Sequence, residues 1–369
     1  MSRVPTDYRG RLARAADAAG SARLDAVIVG PSADLLYLAG YDPPPLERLT
    51  CLVLRPGSEP VLVVPRLEEP LANGTGAAEL ADVRAWNEIE DPYDLVRGIL
   101  GAEAGRVGCS DRMWASHLLR FQGALPDTEF VSASRVLGRL RSIKDPQELD
   151  LLKRAARYAD EAFGRLLQTR LETRSERDVA RSLGDLLLET GNDEVTFTIV
   201  GAGPNGASPH HEPTGREIHF GDAVVIDFGG RTDGYCSDIS RTVAVGRSPA
   251  DLPHVHEVVA EAQEEAFRIV APDVPAQEVD RAARRVIERA GFGDLFVHRT
   301  GHGIGLEEHE GPYIIEGNEE RLRPGMCFSI EPGVYLPGEF GVRIEDIVVV
   351  TGTGAQRLNH ASRELEVVR

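Results

Sequence analysis

Ala223-Val224-Val225-Ile226-Asp227-Phe228 is a short apolar run with a carboxylate set inside it. Such a run, rich in β-branched residues, predicts a buried strand. A buried strand is also where an ionised acid costs several kcal/mol unless a partner or a cation compensates it. The anomaly recurs downstream. Asp238 opens Asp238-Ile239-Ser240-Arg241-Thr242-Val243, and Glu331 follows Cys327-Phe328-Ser329-Ile330. Glu345 lies inside Gly341-Val342-Arg343-Ile344-Glu345-Asp346-Ile347-Val348-Val349-Val350. One acid in such a place reads as a salt bridge or as an exposed position on a one-sided strand. Four together, with a single arginine placed to pair, read as a cation site.

His302 joins them from Thr300-Gly301-His302-Gly303-Ile304-Gly305, where the glycines remove bulk and free the backbone around one imidazole. Two divalent cations would balance the charge of the four carboxylates. Oxygen and nitrogen donors suit Mn²⁺, Co²⁺, Zn²⁺ or Fe²⁺, and Mn²⁺ is the ion expected first. Two metals about 3.5–4 Å apart activate water and polarise a carbonyl, which is the chemistry of amide hydrolysis.

Outward from these strands, the chain changes texture near residue 143. Before it, strands are expected at Asp25–Val29, Leu52–Leu54 and Val61–Val64, and around Val83 and Val107, with helical patterns between them. That alternation predicts an α/β domain over 1–142. After it, Asp145 is placed to cap a helix with Pro146 in the first turn, and Leu149, Leu152, Ala156 and Ala159 carry the helical period. A second helix is expected from about Glu176 to Glu189, ending at Gly191. Strands at 195–200, 223–228 and 237–245 come next, then helices at 251–270 and 276–290, then strands at 327–330 and 342–350. Two helices followed by strands, twice over, suggest a pseudo-duplicated α+β domain over 143–369.

The chain has 41 basic and 59 acidic residues, a net charge of −18. That balance opposes a nucleic-acid or anionic-membrane partner. Four scattered cysteines, Cys51, Cys109, Cys236 and Cys327, suit a reducing compartment. The opening residues carry no apolar stretch behind Arg3, so no secretory signal is expected, and no apolar run approaches the ~20 residues of a membrane span. A cytoplasmic location follows as the expectation.

Ile226-Asp227-Phe228-Gly229, Tyr235-Cys236-Ser237-Asp238-Ile239-Ser240-Arg241-Thr242, the Gly301-His302-Gly303 segment, Ser329-Ile330-Glu331-Pro332-Gly333 and Val342-Arg343-Ile344-Glu345-Asp346 resemble, in order, the motifs of the pita-bread metallopeptidases. That family includes Xaa-Pro dipeptidases, aminopeptidase P, methionine aminopeptidases and the metal-free creatinases. The intervals between the candidate ligands are similar to those of compact prolidases. The resemblance implies that Asp227 binds one metal, that Asp238 and Glu345 bridge both, and that His302 and Glu331 complete the shell of the second metal. It gives Glu331 a further role as general base. It also implies that His210, after a Gly/Asn-rich loop, and His309 contact the scissile amide and stabilise the tetrahedral intermediate. The adjacent His211 leaves open which of the pair faces the substrate. Arg343 is expected to pair with a ligating carboxylate or to bind a substrate terminus, and His298 to pack.

Within that family the extra α/β domain at 1–142 looks like the creatinase-type N-terminal domain of the Xaa-Pro enzymes. The implied substrates are short proline-containing peptides, and the implied assembly is a homodimer. The Pro43-Pro44-Pro45 loop would overhang a partner's cleft. Dipeptidase against aminopeptidase stays open. So do a metal lyase on the same scaffold and a silent binding protein, the latter opposed by the complete ligand set. Gly201-Ala202-Gly203-Pro204-Asn205-Gly206 matches a dinucleotide fingerprint, but the prolines and histidines after it would break the helix that fingerprint needs.

Overall fold

The structure, a computed structural model, describes residues 6–101 and 104–369. The chain divides into two compact units, Met1–Arg141 and Ser142–Arg369. Among the described residues no helix is long and apolar enough to cross a membrane.

In the first unit strands β1 (Ala26–Val29), β2 (Cys51–Leu54), β3 (Val61–Pro65), β4 (Asp82–Trp86), β5 (Arg106–Cys109) and β6 (Glu129–Ser132) form one sheet in the order β4-β3-β2-β1-β5-β6. Its centre is antiparallel, β1 against β2 and β2 against β3, while β1–β5, β5–β6 and β3–β4 run parallel. Gly57, at φ +73°, makes the tight turn between β2 and β3 that a side chain would strain. Helices α1 (Tyr8–Ser21), α2 (Ala33–Ala39), α3 (Glu69–Gly74), α4 (Pro92–Leu100), α5 (Ala115–Ala124) and α6 (Ser134–Ser142) alternate with the strands. The four residues of β1 are all buried, as a strand covered on both faces must be.

The second unit is built twice over. Its first half opens with α7 (Pro146–Leu166), capped by a reciprocal box in which Asp145 accepts from the Glu148 N–H and Glu148 accepts from the Asp145 N–H. Helix α8 (Glu176–Thr190) follows and stops at Gly191, whose φ of 116° ends it. These helices pack on β7 (Glu194–Ala202), β8 (Ala223–Thr232), β9 (Tyr235–Cys236) and β10 (Ile239–Val245). Phe163, Leu183, Ile226 and Val243 meet in their common core.

The second half repeats the plan with α9 (Leu252–Ile269) and α10 (Ala276–Arg289). Their sheet runs β12-β11-β13-β16-β17, from β11 (Gly301–Gly303), β12 (Glu310–Ile314), β13 (Cys327–Ile330), β16 (Asp346–Val350) and β17 (Ala355–Arg357). A hairpin of β14 (Gly333–Leu336) and β15 (Phe340–Arg343) packs on α9, its β15 strand also meeting β8 and β10, and β18 (Glu366–Val368) returns to pair with β10. Val259, Ala283, Phe328 and Val348 share the second core. Each half buries one helix pair against its own sheet, the pseudo-duplicated α+β arrangement of a pita-bread domain.

One expected element differs. The apolar run 342–350 is not a single strand: β15 ends at Arg343, β16 starts at Asp346, and Ile344 and Glu345 lie between. The Glu345 N–H instead donates to the Ser240 carbonyl at 3.0 Å, a bridge to β10 in the other half. Changing partners breaks the run, and that break turns Glu345 toward the first half.

Candidate metal centre

Asp227 arrives on β8, where Ser240 of β10 is its cross-strand partner. Asp238 directly precedes β10, and the Ser240–Glu345 bridge brings Glu345 beside it. His302 sits on β11, and Glu331 follows the end of β13, its N–H donating to the Thr300 carbonyl at 2.8 Å. Elements from both halves thus converge on one place.

Ligand-capable atoms of Asp238, His302 and Glu345 all lie within 4.8 Å of one another, and all three residues are buried. His302 Nε2 is 3.2 Å from Glu331 Oε1 and 3.6 Å from Asp238 Oδ2. Asp227 belongs to the same charge cluster, since it interacts electrostatically with Glu331 and His302. Its carboxyl is pushed up by burial, relieved by Arg343 and raised again by Glu331.

The glycines flanking His302 are required by contact. A Cβ on Gly301 would collide with the Ser329 carbonyl oxygen, and one on Gly303 with the Gly311 carbonyl oxygen. His302 is also oriented. Its N–H donates to Ser329 Oγ at 3.0 Å, and its Nδ1 lies 3.2 Å from the Gly303 carbonyl. A carbonyl only accepts, so Nδ1 donates there, and Nε2 is the nitrogen directed at Asp238 and Glu331.

Carboxylates gathered this closely repel one another unless a cation lies between them. The orphaned atoms point the same way: Asp227 Oδ1 and Glu345 Oε1 are buried without a hydrogen-bond partner. Burial, then Asp227 and Glu331, drive the Asp238 carboxyl well above its usual range. Burial, then Asp238, Glu331 and Asp227, do the same to Glu345. Oxygen donors crowded beyond what they can ionise together, with one imidazole turned in, fit a pair of divalent cations.

Arg343 offsets part of that charge. Its Nη2 donates to Asp227 Oδ2 at 2.5 Å, Nη1 to Tyr335 Oη at 2.8 Å and to the Pro209 carbonyl at 3.2 Å, and Nε to Ser240 Oγ at 3.2 Å. His298 Nε2 lies 2.8 Å from the same Tyr335 oxygen. Tyr335 carried no signal in the sequence, since a tyrosine in a short apolar strand reads as packing. Ser329 was equally silent, yet its Oγ donates to Glu331 Oε1 at 3.1 Å.

The candidate substrate-side histidines differ in setting. The His309 ring stands edge-on to His302 with centroids 4.0 Å apart. Burial, then the charges of His302 and Arg299, push its pKa down to about 4, with His210 adding to the fall. Neutral at ordinary pH, His309 keeps one N–H to donate. Glu310, next in sequence, forms a buried ion pair with Lys144, Oε1 to Nζ at 2.5 Å. His211 is engaged by Glu176 Oε2 at 2.8 Å, whereas His210 is exposed. Of the two, His210 is the one whose ring is turned out.

Residues 150–352 match metallopeptidase family M24, and residues 11–143 match the creatinase/prolidase N-terminal domain. The chain is 43% identical to the dipeptidase PepE of Mycobacterium ulcerans, whose crystal structure superposes with a TM-score of 0.95 over 99% of this chain and 100% of that one. A prolidase from Thermococcus sibiricus shares 38% identity at a TM-score of 0.93, again over 99% and 100% of the two chains. The Xaa-Pro dipeptidase of Lactobacillus helveticus is 36% identical over 344 residues, 90% of this chain and 92% of that one.

Proposed function

Since the chain belongs to metallopeptidase family M24, we propose that it is a dinuclear-metal dipeptidase that hydrolyses the bond before proline in short Xaa-Pro peptides. The observation that carries the reading is the inward-facing donor set of Asp227, Asp238, His302, Glu331 and Glu345, with two of its oxygens buried and unpartnered. Relatives that span nine-tenths or more of the chain and carry the name Xaa-Pro dipeptidase support the substrate class.

Those five side chains would hold two divalent ions, which supply Lewis acidity toward the scissile carbonyl and make a water acidic enough to attack at neutral pH. Mn²⁺ suits a set of four carboxylates and one imidazole. Glu331 Oε1, oriented by Ser329 Oγ, takes the proton of the attacking water. Neutral His309, together with His210, donates to the amide as charge develops on its oxygen. Arg343 holds Asp227 in place and keeps its charge partly compensated. Four free, buried thiols suit the reducing cytoplasm.

The test is hydrolysis by metal-free protein reconstituted with Mn²⁺, Co²⁺ or Zn²⁺, using Xaa-Pro dipeptides, Xaa-Pro tripeptides and Xaa-Ala controls. Metal-dependent cleavage of Xaa-Pro dipeptides above the controls is expected. Faster tripeptide cleavage would make it an aminopeptidase, and no cleavage of any peptide would leave a lyase or a binding protein.

A further inference from the structure

The segment 203–214, between β7 and β8, has little regular structure beyond one 3₁₀ turn, yet it must present His210 steadily. Glu176, the first residue of α8, is wholly buried beneath it. Its Oε1 accepts from the Ala202 N–H and from Asn205 Nδ2, each at 2.9 Å. Its Oε2 accepts from His211 Nε2 at 2.8 Å, from the Thr214 N–H at 3.0 Å and from Thr214 Oγ at 2.7 Å. One carboxylate therefore ties the entrance, the turn and the exit of the segment.

The histidine itself falls between two fixed neighbours. Pro209, before it, is held through its carbonyl by Arg343, and His211, after it, is held by Glu176. Burial alone would raise the Glu176 carboxyl, but its donors, led by the Ala202 N–H, hold it below the usual range, so the anchor stays ionised.

We propose that Glu176 is a positioning residue for catalysis: through His211 it sets the place of His210, and His211 serves as the anchor rather than as a substrate ligand. This rests on the reading that His210 donates to the scissile amide. A carboxylate accepts everywhere, whereas an amide must turn its NH₂ toward the side of the Ala202 N–H or the Thr214 N–H, neither of which can accept, so Glu176→Gln loosens the anchoring of the segment while keeping the shape.

The experiment is a double-mutant cycle of Glu176→Gln and His210→Ala on an Xaa-Pro dipeptide, with amide hydrogen exchange on the Mn²⁺-loaded full chain. In the parent, Glu176→Gln is expected to lower kcat about tenfold with KM changed less than about twofold, and to cost nothing further once His210 is alanine. Exchange should rise over 203–214 and stay unchanged elsewhere. An equal kcat loss in both backgrounds would overturn the proposal, as would unchanged exchange over the segment. Should the parent cleave no Xaa-Pro dipeptide, the functional reading fails by itself, and exchange alone decides whether Glu176 anchors the segment.

Discussion

Arg343 Nη2 and Asp227 Oδ2 are 2.5 Å apart in the interior of the second unit, with both side chains almost wholly removed from solvent. The cation cannot be spared there, because Asp227 also faces the negative charge of Glu331. Arg343→Met should cost the metal-free protein about 3–5 kcal/mol, the usual penalty for stranding one member of a buried pair. Saturating Mn²⁺ should recover part of the loss by supplying the missing positive charge. Urea denaturation with and without Mn²⁺ measures both, and equal losses in the two conditions would speak against a cation next to Asp227.

Glu331→Gln keeps an oxygen donor beside His302 but removes the group proposed to accept the proton. Turnover of an Xaa-Pro dipeptide should fall between about 10²- and 10⁴-fold, with near-normal secondary structure. Steady-state kinetics and circular dichroism check this, and a rate near that of the parent would remove Glu331 from the base role.

Loading with Mn²⁺ should stabilise one unit and spare the other. At a hundredfold excess over Kd the gain is about 2.7 kcal/mol. For a unit of this size that raises Tm by roughly 5–10 °C. Calorimetry should show the shift in the transition of Ser142–Arg369 and none in that of Met1–Arg141. A shift in neither transition would count against the metal site itself.

His256, buried on α9, supplies a pH dependence away from the centre. Burial first, and then the charge of Arg241, hold its pKa down to about 4 against the ordinary 6.5. The unfolded chain takes up a proton as pH falls through 6.5, while the folded chain resists until about 4. Stability from the neutral ring is therefore complete above 6.5 and lost progressively down to about 4, on the order of 3 kcal/mol in total. His256→Gln should make the acid limb of stability against pH shallower across that window. A limb as steep as the parent's would show that other groups carry it.

Much of this was legible in the residues. Asp227 and Glu345 stood out because an acid inside an apolar run violates a strictly local rule, and a local violation is visible in one dimension. Asp145, Pro146 and Gly191 marked helix ends by the same kind of local chemistry. The repeated order of helices and strands likewise foretold two packed halves.

Other features belong to the fold alone. Whether 342–350 is one strand or two depended on Ser240, more than a hundred residues away in sequence, drawing the Glu345 N–H out of line. That His211 is engaged while His210 is exposed depended on Glu176 lying under the segment, and the support of Arg343 and His298 on the position of the Tyr335 hydroxyl. Periodicity and propensity report what a residue does with its chain neighbours. A buried polar group must take whichever partner the packing brings within about 3 Å, and that partner is set by three-dimensional closure.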